Sequence, residues 1–364
     1  MPDGALTLRV LYFGTYERSY PRNAQVISCL RRVRVEVVER HESVWEGREH
    51  KFRAGPLSAV RLAAAEVRLR RRIESDSDSQ VDAVLVGYPG HLDLRAARRI
   101  AGDRPVVFNP LVSLRDTLVT DRQRFRAGSV AARALAAIDR RAFRAADLVV
   151  ADTDAQAEFF LTLGARRVET CFVGAEERVF RPGWSAPANF TALFVGKLIP
   201  LHGLETVLAA ARLAPELRLR VVGSGQLDRL LEARPPNIEH VPWVAYDQLP
   251  AELHRTSCAL GIFGTSPKAA RVIPNKAFQA LACGTPLVTA DTPAARELLR
   301  DGESALLVPP GDPQALAAAL RRVAAEPKLA VALSEGGLAA YRAEASEDVL
   351  GARWRDLIEQ LVRA

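Results

Sequence analysis

Hydrophobic and polar positions follow two alternating patterns along the chain. Short runs rich in Val, Leu, Ile and Phe are separated by longer stretches in which apolar residues recur at helical spacing, most clearly at 131–146. Repeated change from strand-like to helix-like patterning is typical of βαβ units that build a mostly parallel sheet. The pattern therefore predicts an α/β protein.

The strand-like runs fall into two series. The first is predicted at residues 6–13, 33–38, 81–87, 105–108, 148–151 and 168–173, and the second at 192–195, 217–222, 238–241, 259–263, 287–290 and 305–308. A stretch rich in Pro, Gly and small residues separates them at 181–189 and has the composition of a linker. Three helices are predicted to end the chain, at 313–325, 327–343 and 347–362. The last is long enough to pack back onto the first domain.

The length of the chain supports the same division. At 364 residues it exceeds the size at which one hydrophobic core usually stops growing. We therefore predict two Rossmann-like, doubly wound domains. The N-terminal domain spans 1–180 and is completed by the helix at 347–364, and the C-terminal domain spans 190–345.

The cysteines and the N-terminus bear on the compartment. Cys29, Cys171, Cys258 and Cys283 are far apart and have no metal-ligand or redox spacing. No apolar run reaches the roughly 18 residues of a membrane span, and no basic region with a cleavage site precedes the first strand. These features predict a cytoplasmic protein with reduced cysteines.

The net charge of +7 is concentrated in the N-terminal half. Residues 1–180 hold 30 Arg and Lys against 24 Asp and Glu, whereas the remainder holds 20 against 19. Nucleic acid is disfavoured as a partner, because aromatic residues make up only 6% and no nucleic-acid motif is present.

A basic helix is predicted at residues 57–73, with arginines at positions 61, 68, 70, 71 and 72 on its polar side. One interpretation is an ordinary domain helix whose apolar side meets the core. The other is an amphipathic helix in peripheral contact with an anionic membrane.

In doubly wound sheets ligands bind beyond the carboxyl ends of the strands, so the loops there hold the candidate residues. The loop after residues 192–195 contains Gly196, Lys197 and His202 and leads into a helix, an arrangement suited to phosphate. A plain turn with an exposed Lys and His is the alternative. Gly223 begins a second glycine turn, for which tight turn geometry alone is the favoured interpretation.

A third candidate segment surrounds the helix start after Pro274, which suits a first helical turn. Asn275, Lys276 and Gln279 would lie near that start, where an anionic ligand gains most from the helix dipole. Arg271 precedes them. Ordinary surface polarity is the alternative explanation of this cluster.

In the first domain two loops follow strands at the same edge. One contains Gly14, Arg18 and Arg22, and the other contains His91, whose imidazole is poised near neutral pH. A solvated loop histidine is the alternative interpretation of His91.

Together these segments resemble the retaining family 4 glycosyltransferases of the GT-B fold. Phe194-Val-Gly-Lys197 with His202-Gly203 is similar to the donor-phosphate loop of that family, and Val222-Gly-Ser-Gly225 to its second glycine turn. Ala282-Cys-Gly-Thr-Pro286 and the segment from Ala305 to Asp312 complete the order. The resemblance covers nearly the whole chain and implies two Rossmann-like domains that face a cleft.

The resemblance also implies an activity: transfer of a sugar from a nucleotide-sugar donor to a small-molecule, glycan or lipid-linked acceptor hydroxyl, with retention of configuration. No cofactor or metal is expected, because cationic side chains and a helix N-terminus stabilise the leaving diphosphate. The implied catalytic residues are His91, Lys197 and Lys276. The implied donor contacts are Gly14, Gly196, Lys197, His202, Gly223, Trp243, Val244, Arg271, Asn275, Lys276 and Gln279, and the implied acceptor contacts are Arg18, Arg22 and His91.

The chain departs from the family pattern at three positions. Arg271 and Gln279 stand where the family commonly has glutamates, and His202 replaces a lysine. Gln279 can still bind a ribose hydroxyl without charge, whereas Arg271 accepts no hydrogen bond. A non-catalytic homologue that binds a sugar nucleotide or a partner enzyme is the alternative function, and an epimerase-type nucleotide-sugar enzyme is a second.

Overall fold

A computed structural model describes residues 8–44, 64–65, 68–69 and 80–364 of the chain. The chain divides into two compact units, Met1–Val173 with Glu347–Ala364 and Gly174–Ser346. The segment predicted as a linker belongs to the second unit, where the Trp184 indole donates to the Thr256 carbonyl at 2.7 Å. Most of the basic helix predicted at 57–73 lies outside the described residues.

The first unit contains a six-stranded parallel sheet in the order β2-β1-β3-β4-β5-β6. Its strands are β1 (Arg9–Gly14), β2 (Glu36–His41), β3 (Ala83–Val86), β4 (Val106–Phe108), β5 (Leu148–Ala151) and β6 (Val168–Thr170). Its described helices are α1 (Pro21–Arg32), α2 (Leu94–Ala101), α3 (Val130–Ala145), α4 (Asp154–Thr162) and α11 (Glu347–Arg363), with a π-helix at Asp116–Asp121.

The second unit has the same plan, with strand order β12-β11-β10-β7-β8-β9. Its strands are β7 (Thr191–Val195), β8 (Arg218–Val222), β9 (Ile238–Val241), β10 (Cys258–Leu260), β11 (Leu287–Ala290) and β12 (Leu306–Val308). Its α-helices are α5 (Leu204–Leu213), α6 (Leu249–His254), α7 (Asn275–Cys283), α8 (Pro293–Leu298), α9 (Pro313–Ala325) and α10 (Pro327–Glu344). Two doubly wound parallel sheets confirm the predicted fold class.

The second strand begins later than predicted because helix α1 ends with its own turn. Arg34 adopts a left-handed backbone, with φ of 62°, and the Val35 amide donates to the Leu30 carbonyl at 3.0 Å. These bonds occupy residues 33–35, which the hydrophobic pattern alone assigns to a strand. The strand therefore starts at Glu36.

Helices cover both faces of the first sheet. On one face α2, α3 and α4 pack over a core that includes Leu94, Phe143 and Phe160. On the other, α1 and α11 pack together with Trp354 fully buried. Because α11 follows the second unit in the chain and packs on α1, the predicted return of the last helix to the first domain is present.

Gly351 sets how closely α11 approaches α1. A Cβ at this position would lie 2.6 Å from the Cys29 carbonyl oxygen and 2.8 Å from a Val33 methyl group. The first contact is with helical backbone, which has little freedom to move.

We expect Gly351→Ala to lower the free energy of unfolding of the first unit by about 1–3 kcal/mol, because the added methyl group overpacks the α1–α11 contact. Urea unfolding followed by circular dichroism measures the change. Ala352→Ser, at the exposed neighbouring position, is the control and should leave the midpoint unchanged. An unchanged midpoint for Gly351→Ala would mean that the two helices can separate without cost.

Candidate functional site

Two glycine turns meet at the carboxyl edge of the second sheet, after β7 and β8. Gly196 and Gly223 have φ of 136° and 137°, and a Cβ on Gly223 would collide with the Gly196 carbonyl oxygen. The Leu198 amide donates to the Ser224 carbonyl at 3.1 Å, so strand-like pairing continues past the strand ends. The two loops therefore form one backbone layer that only glycine permits.

Lys197 and His202 lie on this layer. Lys197 is exposed, and His202 is half-buried at the end of a 3-10 turn, Pro200–His202. The imidazole packs against Gly196, where a Cβ would stand 3.2 Å from the His202 Cε1 atom. The first glycine turn thus carries one solvent-facing cation and one imidazole.

Lys276 is the most unusual charged group of the second unit. Its Nζ atom is buried, lies 3.6 Å from the centroid of the Phe194 ring, and has no hydrogen-bond or ion-pair partner among the described residues. Burial lowers its pKa well below the usual range of a lysine. The Phe194 ring stabilises the cation only in part, because a cation–π contact does not replace lost hydration.

The position of Lys276 adds a second electrostatic feature. It is the second residue of the nine-residue helix α7, whose Pro274 N-cap provides no side-chain hydrogen bond to the first turn. A buried cation beside an uncapped helix start favours an anion, which would satisfy both at once.

Gln279, one turn further along α7, belongs to a buried hydrogen-bond network. The Tyr246 hydroxyl donates to the Glu176 carboxylate at 3.2 Å. Burial is the main cause that raises the pKa of Tyr246, and the nearby Gln279 side chain lowers it. Because the single phenolic proton goes to Glu176, the orientation of Gln279 that lowers this pKa directs its amide N–H towards the Tyr246 oxygen and leaves its carbonyl oxygen as an acceptor.

The other predicted donor contacts of the second unit are more exposed. Asn275 begins α7 and Arg271 ends a 3-10 turn, and both are half-buried. Trp243 is 74% exposed and Val244 is half-buried, both on the loop after β9. The structure thus brings Gly196, Lys197, His202, Gly223, Asn275, Lys276 and Gln279 to one sheet edge.

Sequence reasoning missed four residues of this edge. Phe194 looks like an ordinary core residue of a strand, although its position just before the glycine turn is a usable signal. Glu176 and Tyr246 are separated from each other by 70 residues, and no local pattern connects them to Gln279. His240 was also missed, and its Nε2 atom lies 2.9 Å from the Gly223 carbonyl oxygen.

In the first unit, His91 is not a solvated loop residue. Its side chain is 2% exposed, with Nδ1 2.5 Å from the Pro89 carbonyl oxygen and Nε2 3.4 Å from the Asp139 carboxylate. Burial lowers the pKa of His91, and Asp139 opposes that shift. Asp139 also accepts from the Ser113 hydroxyl at 2.6 Å. The ring is therefore buried and its two nitrogen atoms face Pro89 and Asp139.

Arg22 is fully buried, which corrects the acceptor contact predicted for it. Its guanidinium donates to Asn109 Oδ1 at 2.9 Å and to the Phe172 carbonyl at 2.8 Å, and it lies 5.6 Å from the Trp354 ring centroid. The side chain ties α1 to the sheet edge and to α11. No part of it is available to a ligand.

The remaining predicted residues of the first unit differ in exposure. Arg18 is exposed and pairs with Glu39 at 3.0 Å. At Gly14, a Cβ would lie 2.5 Å from the Asp93 carboxylate, which accepts from the Thr15 amide at 2.8 Å. Asp93 therefore explains the glycine at position 14 without a ligand.

The described residues contain neither a cluster suited to a metal ion nor a membrane-spanning helix. Among them, no group of three or more His, Cys, Asp or Glu side chains is placed to hold a metal ion. No helix in the same part of the chain is long and apolar enough to cross a bilayer.

Comparison with known proteins relates the second unit to a known family. Residues 189–326 match the family described as "Glycosyl transferases group 1". The match lies within the second unit and agrees with the resemblance to family 4 enzymes, and the GT-B fold predicted from that resemblance is confirmed.

Particular relatives agree with this assignment. The chain is 30% identical over 237 residues to a D-inositol 3-phosphate glycosyltransferase from Nocardioides sp., a match that covers 55% of this chain and 51% of that protein. The chain thus spans about half the length of the curated relatives it matches.

Among solved structures, sucrose-phosphate synthase from Thermosynechococcus elongatus superposes with a TM-score of 0.75 at 16% identity, covering 98% of this chain and 99% of that one. Anabaena HepE in complex with UDP-glucose gives 0.69 at 16% identity, over 97% and 99% of the two chains. At this level of identity the likeness establishes the fold.

We expect Lys276→Met to stabilise the ligand-free second unit by about 1–3 kcal/mol, because it removes an unpartnered buried ammonium and keeps the length of the side chain. The folded-state pKa lies below the unfolded one, so the wild-type protein gains stability as pH rises towards the ordinary pKa of lysine, and the advantage of the variant shrinks there. Thermal unfolding at about pH 7 and about pH 9.5 measures both effects. The control is Lys328→Met, an exposed lysine; equal stability changes in the two variants would contradict the burial of Lys276.

We expect Gln279→Glu to destabilise the second unit by about 1–2 kcal/mol near neutral pH, because two carboxylates would then compete for the one Tyr246 proton. The new carboxyl should have a raised folded-state pKa, so the loss becomes smaller as pH falls towards about 5.

The exchange Glu176→Gln with Gln279→Glu restores one donor and one acceptor around Tyr246 and should recover most of the loss. A double-mutant cycle of thermal unfolding measures the coupling between the two sites. Additive effects of the two substitutions would show that Tyr246 does not connect them.

Proposed function

We propose that the protein is a glycosyltransferase that moves a sugar from a nucleotide-sugar donor to an acceptor hydroxyl with retention of configuration. The observation that carries the proposal is the buried, unpartnered ammonium of Lys276 at the start of α7. The family match over residues 189–326 supports it.

The donor diphosphate is the anion that this site fits. Negative charge on the diphosphate grows as the bond between the sugar and the phosphate breaks, so a cation fixed in a poorly hydrated position stabilises the transition state more than the ground state. Lys197 and His202, on the adjoining glycine turn, are proposed to contact the same phosphates. A leaving group held in this way needs no metal ion, and metal independence is part of the proposal.

The nucleoside is proposed to lie beyond Gln279. The acceptor oxygen that the Tyr246 network leaves on Gln279 suits a ribose hydroxyl, which is a hydrogen-bond donor. Contacts with the base are proposed for Trp243 and Val244. Arg271 would donate hydrogen bonds to an oxygen or nitrogen atom of the nucleotide sugar, because a guanidinium accepts no hydrogen bond.

The acceptor is proposed to bind the first unit, near Arg18 and the loop that contains His91. The names of similar proteins suggest a class of acceptor: the Nocardioides relative is a D-inositol 3-phosphate glycosyltransferase, and the structural neighbour is a sucrose-phosphate synthase. A small polar acceptor is compatible with these names.

The described residues of the helix predicted at 57–73 do not favour the peripheral membrane contact proposed for it. Of its four described residues, Ala65 and Leu69 are buried, and Arg68 pairs with Glu42 at 2.8 Å. These contacts favour the interpretation in which the apolar side of this helix faces the core. The cytoplasmic location stays a prediction.

A second candidate function is a non-catalytic homologue that binds a sugar nucleotide. Two observations favour it: Arg271 replaces a family glutamate, and the His91 ring is covered. Such a protein would bind the nucleotide and show no turnover.

Donor binding and turnover separate these functions. We expect one nucleoside diphosphate sugar to be consumed, with excess chelator present, and Lys276→Met to reduce the rate by about 100-fold or more. Product formation is followed by chromatography, with Lys328→Met as the control. Binding without turnover would support the non-catalytic homologue, and loss of turnover in chelator that added metal restores would contradict metal independence.

Calorimetry tests the role of Lys276 without turnover. An anion beside Lys276 raises its pKa, so nucleoside diphosphate binding should take up a proton in the pH range between the lowered pKa of Lys276 and the ordinary pKa of lysine, and affinity should fall as pH rises through that range. Lys276→Met should abolish that uptake, measured in buffers of different ionisation enthalpy.

A further inference from the structure

Helices α2 and α3, with the segment that precedes α3, carry arginines without exposed acidic residues. We call this surface the arginine face. Its exposed arginines are Arg95 and Arg99 on α2, Arg115, Arg124 and Arg126 on the segment, and Arg133, Arg140, Arg141 and Arg144 on α3. The two helices lie side by side on one face of the first sheet.

All the acidic side chains between positions 110 and 145 are buried. Asp116, Asp121 and Asp139 are 6%, 2% and 1% exposed, and Asp139 accepts from the Ser113 hydroxyl and the Leu114 amide. The acidic groups of this segment therefore do not reach the arginine face, although the exposed Asp103 lies just after α2. Asp154 and Glu158 of α4 mark one boundary of the face.

The opposite face of the same sheet is organised differently. There Arg32 pairs with Asp348 at 2.5 Å, Arg355 with Glu359 at 2.7 Å, and Arg353 with Glu169 at 3.0 Å. Both faces are rich in arginine, but more of the arginines on the α1–α11 face are in ion pairs; on α2, Arg98 pairs with Asp147 at 2.6 Å. Among the described residues, the arginine face therefore carries an excess of positive charge.

Two exposed apolar side chains lie at one end of the arginine face. Leu92 is 42% exposed just before α2, and Val130 is 73% exposed at the first residue of α3. Each helix follows a parallel strand and so begins at the carboxyl edge of the sheet. The apolar tips therefore stand at the edge that also holds His91 and Asn109.

We propose that the arginine face docks on an anionic lipid surface, with Leu92 and Val130 entering the headgroup region. Charge complementarity is the basis: clustered arginines attract anionic headgroups, and exposed apolar tips at one end add burial that a soluble polyanion cannot provide. Aromatic residues that stack on bases are scarce, which disfavours nucleic acid. Where the proposed function holds, this docking turns the acceptor edge of the first unit towards lipid, which favours a membrane-bound acceptor.

Vesicle co-sedimentation of the full chain tests the proposal. We expect binding to vesicles of phosphatidylglycerol and phosphatidylcholine at low salt, and loss of binding at high salt, because screening weakens exposed charges. The triple substitution Arg126→Glu, Arg133→Glu and Arg140→Glu should weaken binding on the order of 100-fold. Leu92→Ser with Val130→Ser should weaken it less and leave the salt dependence unchanged.

A matched control changes the net charge equally in the second unit: Arg218→Glu, Arg229→Glu and Lys328→Glu, all exposed positions. This control should retain vesicle binding. Absence of wild-type binding, equal loss in both triple variants, or binding to heparin or DNA but not to vesicles would each overturn the proposal. The readout does not depend on sugar transfer, so its failure and that of the proposed function are distinguishable.

Discussion

The Lys276 ammonium is held out of water without a counterion, and the carboxyl edge of the second unit is arranged around it. The Phe194 ring is directly below the charge, and the first glycine turn follows Phe194 by two residues. A Cβ atom at Gly196 would lie in tight contact with the His202 ring, so glycine allows the ring to pack against the turn. These contacts fix the position of the cation while leaving its charge unsatisfied, which is the arrangement that gains most when an anion arrives.

Comparison with Arg22 shows why the two buried cations have different roles. The Arg22 guanidinium is satisfied by Asn109, by the Cys171 and Phe172 carbonyls and by the Trp354 ring. A buried charge with its hydrogen bonds complete stabilises local packing and has nothing left to offer a ligand. Both residues are basic and lie in helices that follow a strand in the sequence. Only the structure shows which of the two is left without hydrogen-bond partners.

Features encoded by local pattern were predictable from sequence, and features that depend on distant residues were not. Strand periodicity located the sheets. The start of β2 was predicted too early because the turn that ends α1 contains a left-handed residue, Arg34, at a position where the sequence has no glycine to indicate it. The glycine turns and the cluster on α7 were found because each is contiguous. The pairing of His91 with Asp139 joins residues from different βα units, and no spacing rule reveals it.

The glutamine at position 279 makes physical sense once its neighbours are known. Glu176 already places a buried carboxylate on the other side of Tyr246, and a second one would raise the pKa of both and repel the charge of a diphosphate. An amide gives the same acceptor oxygen without the charge, because its N–H group satisfies the tyrosine oxygen. Replacement of a family glutamate by glutamine therefore keeps an acceptor oxygen, which is the group that the proposed ribose contact requires. It also leaves Lys276 as the dominant local charge, which is the condition for binding an anion at the start of α7.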